Sequence, residues 1–221
     1  AINGKFGFSM RFVVERKEIR NKDFTYSKAE TVDEAAFSRY LKPSEFAVHD
    51  DRVRRFAAEA ISGKTEIVEK ARGVFDFVLK NMAYDKNVPG WGSGDVKRIC
   101  LSIGEGHKGS GNCTDFHSFF SSLMQVSEVP VVFEMGFPLS AAKGERKTVT
   151  GGYHCWARFF VPDLGWVPVD ISEASKEPSK ANYYFGSIDE NRIRFSRGRD
   201  VLLAPPQSGK RLNFFGPDPY I

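Results

Sequence analysis

Cysteine is scarce in this sequence, which limits how the chain can be stabilised. The 221 residues include three cysteines, Cys100, Cys113 and Cys155, and none of them belongs to a CxxC pair. An odd and low count does not support a disulfide framework, and the missing CxxC spacing argues against a structural zinc site. Because EF-hand spacing and dense carboxylate clusters are also missing, we expect no metal ion and no cofactor.

Long apolar runs and a strong charge of one sign are absent as well. No stretch approaches the ~20 apolar residues of a membrane-spanning helix, so we predict no membrane span. The formal net charge is only +4, from 32 basic and 28 acidic residues, so we expect no nucleic-acid partner, which usually requires a stronger basic surface. The densest basic stretches, 52–55 and 192–199, are interpreted as solvated faces with local ion pairs.

The first residue of the sequence bears on cellular location. It is Ala1 rather than Met, so a leader peptide can have been removed. We therefore expect an extracytoplasmic location, periplasmic or secreted, while a cytoplasmic location stays open. The oligomeric state is not predicted.

Hydrophobic periodicity predicts helices in the first half of the chain. Apolar residues recur at intervals of three and four from about Asp50, again after Thr65, and again from Asn112 or Cys113. Glycine-rich segments occupy most of the sequence between Tyr84 and the third of these helices. Long loops of this kind are often functional.

Strand patterns dominate the second half. Residues 131–137, 153–161 and 165–171 are rich in β-branched and aromatic residues, and residues 181–203 contain shorter candidates. The same signals predict one strand, or two short ones, over residues 5–19. Helices followed by strands indicate an α+β domain rather than alternating βαβ units.

Cys113 has the setting of a reactive thiol. It follows a glycine-rich loop and begins a helix with a strong apolar stripe. The partial positive charge at a helix N-terminus lowers the pKa of a thiol, and the free N–H groups there can stabilise an oxyanion. A buried, inert cysteine is the alternative, and we interpret Cys100 and Cys155 as core residues of that kind.

His154 and Asp170 are predicted to meet across a hairpin. Strand alternation places His154 and Trp156 on the face opposite Cys155, toward a cleft. If the chain turns near Pro162, His154 falls opposite or nearly opposite Asp170, within reach of a cross-strand contact. The carboxylate can then orient one imidazole nitrogen and leave the other to take the proton of the thiol.

Other titratable residues near this group receive different interpretations. His117 lies four residues after Cys113, on the same helix face, and is an alternative base. Its approach to a thiolate directed out of the helix N-terminus is poor, so we interpret it as a core hydrogen-bonding residue. Asp115 is expected to stabilise the first helical turn, and His49 and His107 are expected on the surface.

Three motifs occur in an order that is known from one superfamily. GNCTDFHSFFSSLMQ at 111–125, GGYHCWARFF at 151–160 and GWVPVDIS at 165–172 together resemble the transglutaminase-like superfamily of papain-type thiol enzymes, with flanking similarity over about 50–215. The resemblance implies an α+β fold in which the nucleophile helix packs on an antiparallel sheet. It implies a catalytic domain over 46–221, and whether the strand and irregular segment of 1–45 belong to that domain stays open.

The resemblance also implies roles for individual residues. It assigns nucleophile, base and orienting carboxylate to Cys113, His154 and Asp170. Family members use an upstream Trp, Gln or Asn side chain as the second oxyanion donor, for which Trp91 and Asn112 are candidates without a clear motif match. Trp156 either lines the substrate cleft or packs in the core.

The chemistry implied by this resemblance is the attack of a thiolate on an amide carbonyl to form an acyl-enzyme thioester. Hydrolysis of the thioester makes the protein a cysteine peptidase or amidase acting on peptides or proteins, which we favour for a chain without accessory domains. Transfer to a lysine amine makes it a transglutaminase. A non-catalytic binding module and a small-molecule acyltransferase are further alternatives, disfavoured by the intact residue set and by the missing phosphate-binding motif.

Overall fold

The computed structural model describes residues 9–21, 32–104, 106–139 and 152–214. The helices are α1 (Glu34–Phe37), α2 (Asp51–Ala60), α3 (Ile67–Asn81), α4 (Val96–Ser102), α5 (Cys113–Val126) and α6 (Ile171–Lys176), with 3-10 turns at Ser38–Tyr40 and Pro178–Lys180. The strands are β1 (Ile19–Arg20), β2 (Met82–Tyr84), β3 (Gly109–Gly111), β4 (Val131–Pro138), β5 (His154–Val161), β6 (Gly165–Val169), β7 (Ser187–Ile188) and β8 (Arg192–Arg197). Helices precede the main strands, and the α+β prediction is confirmed. Within the described ranges, no helix is both long and apolar enough to cross a membrane.

An antiparallel sheet with the strand order β6-β5-β4-β8 forms one layer of the fold. The β5–β6 hairpin pairs Ala157 with Val169. The register between β4 and β8 shifts at Gly136, where a Cβ would collide with the carbonyl oxygen of Ile193. Glycine at this position therefore lets the two backbones approach at the bulge.

Helix α5 lies in the middle of the molecule, between this sheet and the helices α2 and α3. Its apolar stripe is completely buried, and Phe119 meets the rings of Phe56 and Phe77 at centroid distances of 6.2 and 6.3 Å. Full burial of one such side chain contributes about 1.5–3 kcal/mol. This packing holds the N-terminus of α5, where Cys113 lies, in a rigid position.

The glycine-rich region between α3 and α5 contains more regular structure than the sequence indicated. Asp95 caps α4 by accepting a hydrogen bond from the backbone N–H of Arg98 at 3.1 Å. Strand β3 pairs in parallel with β2. Both elements were obscured by the surrounding glycines, which weaken helix and strand signals.

The prediction of a strand over 5–19 is wrong for residues 9–18, which form no ladder; residues 5–8 lie outside the described part. Only Ile19–Arg20 forms a strand, paired with β7. Alternating apolar residues form a strand only where a partner backbone is available. Phe37 contacts Phe160 at a ring distance of 4.2 Å. These contacts support the proposal that the N-terminal segment belongs to the same domain as 46–221.

Candidate active site

Cys113 is the first residue of α5, and two reciprocal hydrogen bonds cap the N-terminus of this helix. The side-chain oxygen of Asn112 accepts a hydrogen bond from the N–H of Thr114 at 2.8 Å. The carboxylate of Asp115 accepts one from the N–H of Asn112 at 2.9 Å. This capping box orients the Cys113 thiol at the positive end of the helix, with 4% of the residue exposed.

Asp115 also holds the loop that passes over the head of α5. Its buried carboxylate accepts hydrogen bonds from the N–H groups of Gly92 at 2.6 Å and Gly94 at 3.0 Å. Arg98 donates to the same carboxylate at 2.9 Å. The predicted role of Asp115 at the helix end is therefore correct but incomplete, because the same side chain positions the loop that carries Trp91.

His154 and Asp170 meet through the geometry of the β5–β6 hairpin. The register places Asp170 just beyond Val169, so that it lies diagonally across from His154. The Nε2 atom of His154 and the Oδ2 atom of Asp170 are 2.7 Å apart. Asp170 is also the N-cap of α6, since it accepts a hydrogen bond from the N–H of Glu173 at 3.0 Å.

The imidazole of His154 links this carboxylate to the thiol. The thiol of Cys113 interacts electrostatically with the His154 imidazole. Because Nε2 is engaged by Asp170, Nδ1 is the nitrogen left for the sulfur. All three side chains are nearly or fully buried. The structure therefore brings the three residues predicted from the sequence into one continuous relay.

Charges are strongly coupled along this relay. Hydrogen bonds from Cys155 and from His154 hold the pKa of Cys113 well below its ordinary value of 9.0. Burial disfavours the charged form of His154, but the Asp170 carboxylate outweighs it and raises the pKa of His154 to about 10. The two shifts have opposite directions, and both favour a thiolate paired with an imidazolium over a neutral thiol beside a neutral imidazole.

Asp170 remains ionised although it is fully buried. Burial by itself raises the pKa of a carboxyl group, but the charges of His154 and Arg192 lower the pKa of Asp170 well below 3.8. Arg192 donates to Oδ2 at 2.6 Å, and the Ser172 hydroxyl donates to Oδ1 at 2.9 Å. The carboxylate is thus fixed by several donors, and its orientation toward the imidazole is rigid.

His117 is a structural residue, as predicted. Its Nε2 accepts a hydrogen bond from the N–H of Ile171 at 3.1 Å, so its Nδ1 is the donor to the Cys113 carbonyl at 2.7 Å. Burial lowers the pKa of His117, which agrees with a neutral ring. It ties α5 to the start of α6 and has no free nitrogen for the thiol.

Cys155 is a core residue, as predicted, but it also touches the nucleophile. It lies on the face of β5 opposite His154, packs in one buried cluster with Cys113 and lies 3.5 Å from the Thr114 hydroxyl. Burial raises its pKa well above 9.0, so it stays a neutral S–H donor. Burial also raises the pKa of Cys100, to about 12, but Cys100 packs in the main hydrophobic core rather than against Cys113.

The candidates for the oxyanion site and the cleft have three different placements. Asn112 uses its side-chain oxygen as a helix cap, while its Nδ2 lies against Gly92, where a Cβ would be 3.2 Å away. Trp91 is 43% exposed beside the head of α5. Trp156 is 1% exposed and donates to the buried Glu134 at 2.6 Å, so the cleft-lining interpretation is wrong for this residue. It packs beneath His154, at a ring distance of 5.8 Å.

Arg192 is the important residue that sequence reasoning missed. It belongs to the basic stretch interpreted as a solvated face, yet it is 3% exposed and bridges Asp170 and Asp189, both at 2.6 Å. Nothing in the local pattern distinguishes it from its exposed neighbours. In the described part of the chain, no group of three His, Cys, Asp or Glu side chains is arranged to hold a metal ion.

The comparisons with known proteins agree with this fold. The family model of the transglutaminase-like superfamily matches residues 54–171, a range that contains Cys113, His154 and Asp170. The chain belongs to the transglutaminase-like superfamily. The superfamily assignment predicted from the three motifs is therefore confirmed, together with the packing of the Cys113 helix on an antiparallel sheet.

The individual proteins that resemble this chain are either longer than it or have low sequence identity to it. An uncharacterized protein of Haemophilus influenzae (strain KW20 Rd) is 30% identical over 223 residues, which cover 88% of this chain and 58% of that protein. The chain therefore spans little more than half the length of this curated relative. The crystal structure of the periplasmic domain of TgpA from Pseudomonas aeruginosa is 18% identical, with a TM-score of 0.48 over 69% of this chain and 51% of that one. A protein of Cytophaga hutchinsonii, provisionally described as a cysteine protease, is 13% identical, with a TM-score of 0.46 over 76% and 57% of the two chains.

Proposed function

We propose that this protein is a thiol-dependent enzyme that cleaves amide bonds, a cysteine peptidase or amidase acting on peptide or protein substrates. The observation that carries the proposal is the buried relay of Asp170, His154 and Cys113 at the N-terminus of α5. Such a relay keeps a thiolate ready for attack at neutral pH and holds a proton beside it. The extracytoplasmic location stays a prediction, which fractionation of the producing cells tests.

In the first step, the Cys113 thiolate attacks the carbonyl carbon of the scissile amide. The negative charge moves to the carbonyl oxygen, where the N–H groups at the head of α5 stabilise it. The His154 imidazolium then donates its proton to the amide nitrogen, the C–N bond breaks, and the amine leaves. A thioester between the substrate acyl group and Cys113 remains.

In the second step, a water molecule takes the place of the amine. Neutral His154 accepts a proton from the water as its oxygen attacks the thioester, and the C–S bond breaks. The products are a carboxylic acid and the Cys113 thiolate, with His154 protonated again. Asp170 stabilises the imidazolium at the start and end of the cycle and keeps its Nδ1 directed at the sulfur.

We propose hydrolysis of the thioester rather than transfer of its acyl group to an amine, because water needs no binding site of its own. Transfer to a lysine amine requires an acceptor bound beside the thioester and protected from water. A second oxyanion donor belongs to the proposal too. Trp91 and Asn112 are the candidates, because the loop bound to Asp115 lies over the head of α5.

The proposal is tested first on the thiol itself. Iodoacetamide labelling between pH 5 and 9, with mass spectrometric location of the adduct, should modify Cys113 selectively below pH 7, and His154→Ala should abolish that selectivity. The matched control is Cys100→Ala, which removes another buried cysteine and should leave the labelling of Cys113 unchanged. Labelling of Cys113 only above about pH 8, with no response to His154→Ala, would reject an activated thiolate.

The reaction is tested with a mixture of synthetic peptides, incubated with and without the amine cadaverine. Cleavage products that disappear in Cys113→Ala support the hydrolase. Cadaverine adducts on glutamine, without cleavage, identify a transglutaminase instead. If peptides bind but neither product forms although Cys113 is activated, the protein is a binding module on the same fold.

A further inference from the structure

A cavity lined by residues other than the three of the proposed relay borders helix α5 in the described part of the chain. It has a volume of about 520 Å³. Its floor consists of α5 at Ser118 and Ser121 and the start of β4 up to Phe133, and the segments 39–47 and 197–200 form its walls. None of its lining residues is Cys113, His154 or Asp170, although Arg199 in its wall also interacts with Cys155.

The lining of this cavity carries an unusual excess of positive charge. Five basic side chains border it, and they are Arg39, Lys42, Arg197, Arg199 and Arg211. Asp200 is the one acidic residue among the lining residues. Its carboxylate already accepts hydrogen bonds from the N–H of Glu45 at 2.9 Å and from Asn213 at 2.8 Å. The excess of basic over acidic side chains around this cavity is four, which equals the formal net charge of the whole chain, +4.

Several of these cations have no carboxylate of their own. Among the described residues, Arg39, Lys42 and Arg211 form no ion pair. Arg197 lies 3.4 Å from Glu134, which it shares with other arginines. Like charges placed together raise the free energy of the unliganded site, and an anion that binds between them removes this repulsion.

The inner end of the cavity is rigid and polar. Arg199 is held by hydrogen bonds to Asn213 at 3.0 Å, to the Ser118 hydroxyl at 3.1 Å and to the Ser93 carbonyl at 3.0 Å. A guanidinium fixed in this way is suited to an oxyanion group.

We propose that this cavity binds a small polyanion that carries phosphate or carboxylate groups. Its volume lies in the range of about 300–1,000 Å³ that is typical of small-molecule sites, and Phe133 in the floor and Tyr40 in the wall offer apolar contact to the body of such a ligand. In this proposal the anionic groups lie between the exposed cations Lys42 and Arg211 at the rim and the fixed Arg199 inside. The site does not depend on the proposed enzymatic activity.

Isothermal titration calorimetry with inorganic tripolyphosphate and, separately, with citrate tests the proposal on the whole chain. The buffer contains about 150 mM NaCl, at which the Debye length of about 8 Å screens diffuse attraction. We expect one site with a Kd of about 10–100 µM for at least one of the two probes. The probe that binds more tightly identifies phosphate or carboxylate as the preferred group.

The decisive comparison uses two double variants with the same net charge. Lys42→Ala/Arg211→Ala removes two rim cations and should weaken binding about tenfold or more, because each lost contact is a charge-assisted hydrogen bond. Lys80→Ala/Lys97→Ala removes two exposed lysines from α3 and α4 and should leave the Kd unchanged. Absence of binding by both probes at millimolar concentration, or equal weakening in the two variants, would overturn the proposal. Labelling of Cys113 is measured on the same samples, so that a failed active site is recognised separately.

Discussion

Cys155 offers the sharpest test of how the Cys113 thiolate is stabilised. Its thiol is buried, and its interaction with the Cys113 sulfur lowers the pKa of Cys113. Cys155→Ala removes this donor while leaving His154 and Asp170 in place. We therefore expect the thiolate of Cys113 to become less stable and the pKa of Cys113 to rise.

The magnitude follows from the strength of one hydrogen bond to a charged group. Such bonds contribute about 1.5–3 kcal/mol, and the S–H group is a weak donor, so the lower value of about 1.5 kcal/mol applies. Since one pKa unit corresponds to about 1.36 kcal/mol, the pKa of Cys113 should rise by about one unit in Cys155→Ala.

The assay is the rate of iodoacetamide alkylation of Cys113 as a function of pH. The midpoint of this profile should move to higher pH in Cys155→Ala and return close to the wild-type value in Cys155→Ser, whose hydroxyl is again a donor. Cys100→Ala controls for the loss of a buried cysteine elsewhere and should change nothing. An unchanged midpoint in Cys155→Ala would refute the reasoning, because it would assign the stabilisation of the thiolate to His154 and the helix alone.

Three further predictions concern the groups around the site. Asp170→Asn removes the charge that holds the pKa of His154 at about 10, so an NMR titration should show that pKa about 1–3 units lower; a value still near 10 would contradict this. Asp115→Asn breaks a buried ion pair and should lower the free energy of unfolding in urea by about 3 kcal/mol, against less than about 1 kcal/mol for Asp76→Asn in an exposed pair. Gly136→Ala should cost about 2 kcal/mol or more through the clash at the bulge, whereas Gly152→Ala, which meets open space, should be neutral in thermal unfolding; equal effects would refute the steric explanation.

The candidate site was predictable to the extent that it depends on local patterns. A cysteine after a glycine-rich loop at the start of an apolar helix, and a histidine and an aspartate on adjacent strands, are all recognisable in the sequence. Strand alternation and the short turn between β5 and β6 were sufficient to bring His154 near Asp170. The predictions of α2, α3, α5 and of strands β4, β5 and β6 succeeded for the same reason, since their periodicity is strong.

The predictions that failed depend on partners far away in the sequence. The alternation over 9–18 lacked a backbone to pair with. For Trp156 the sequence left both a cleft and a core position open, and only the buried carboxylate of Glu134, which holds its indole, decides for the core. Arg192 looked like any other residue of a basic stretch, and only its approach to Asp170 makes it a part of the site.

The sequence by itself determined the strongly periodic helices and strands of the central domain, the membership in the superfamily and the choice of Cys113, His154 and Asp170 as candidates, because periodicity, turns and short motifs are local properties of a chain. The tertiary structure decided the directions of the pKa shifts in the relay, the contact between Cys155 and Cys113, the anchoring of the glycine loop by Asp115, and the basic cavity beside α5. These features arise where elements that are distant in the sequence pack against one another, and both the strength of a charge interaction and the burial of a polar group depend on that packing.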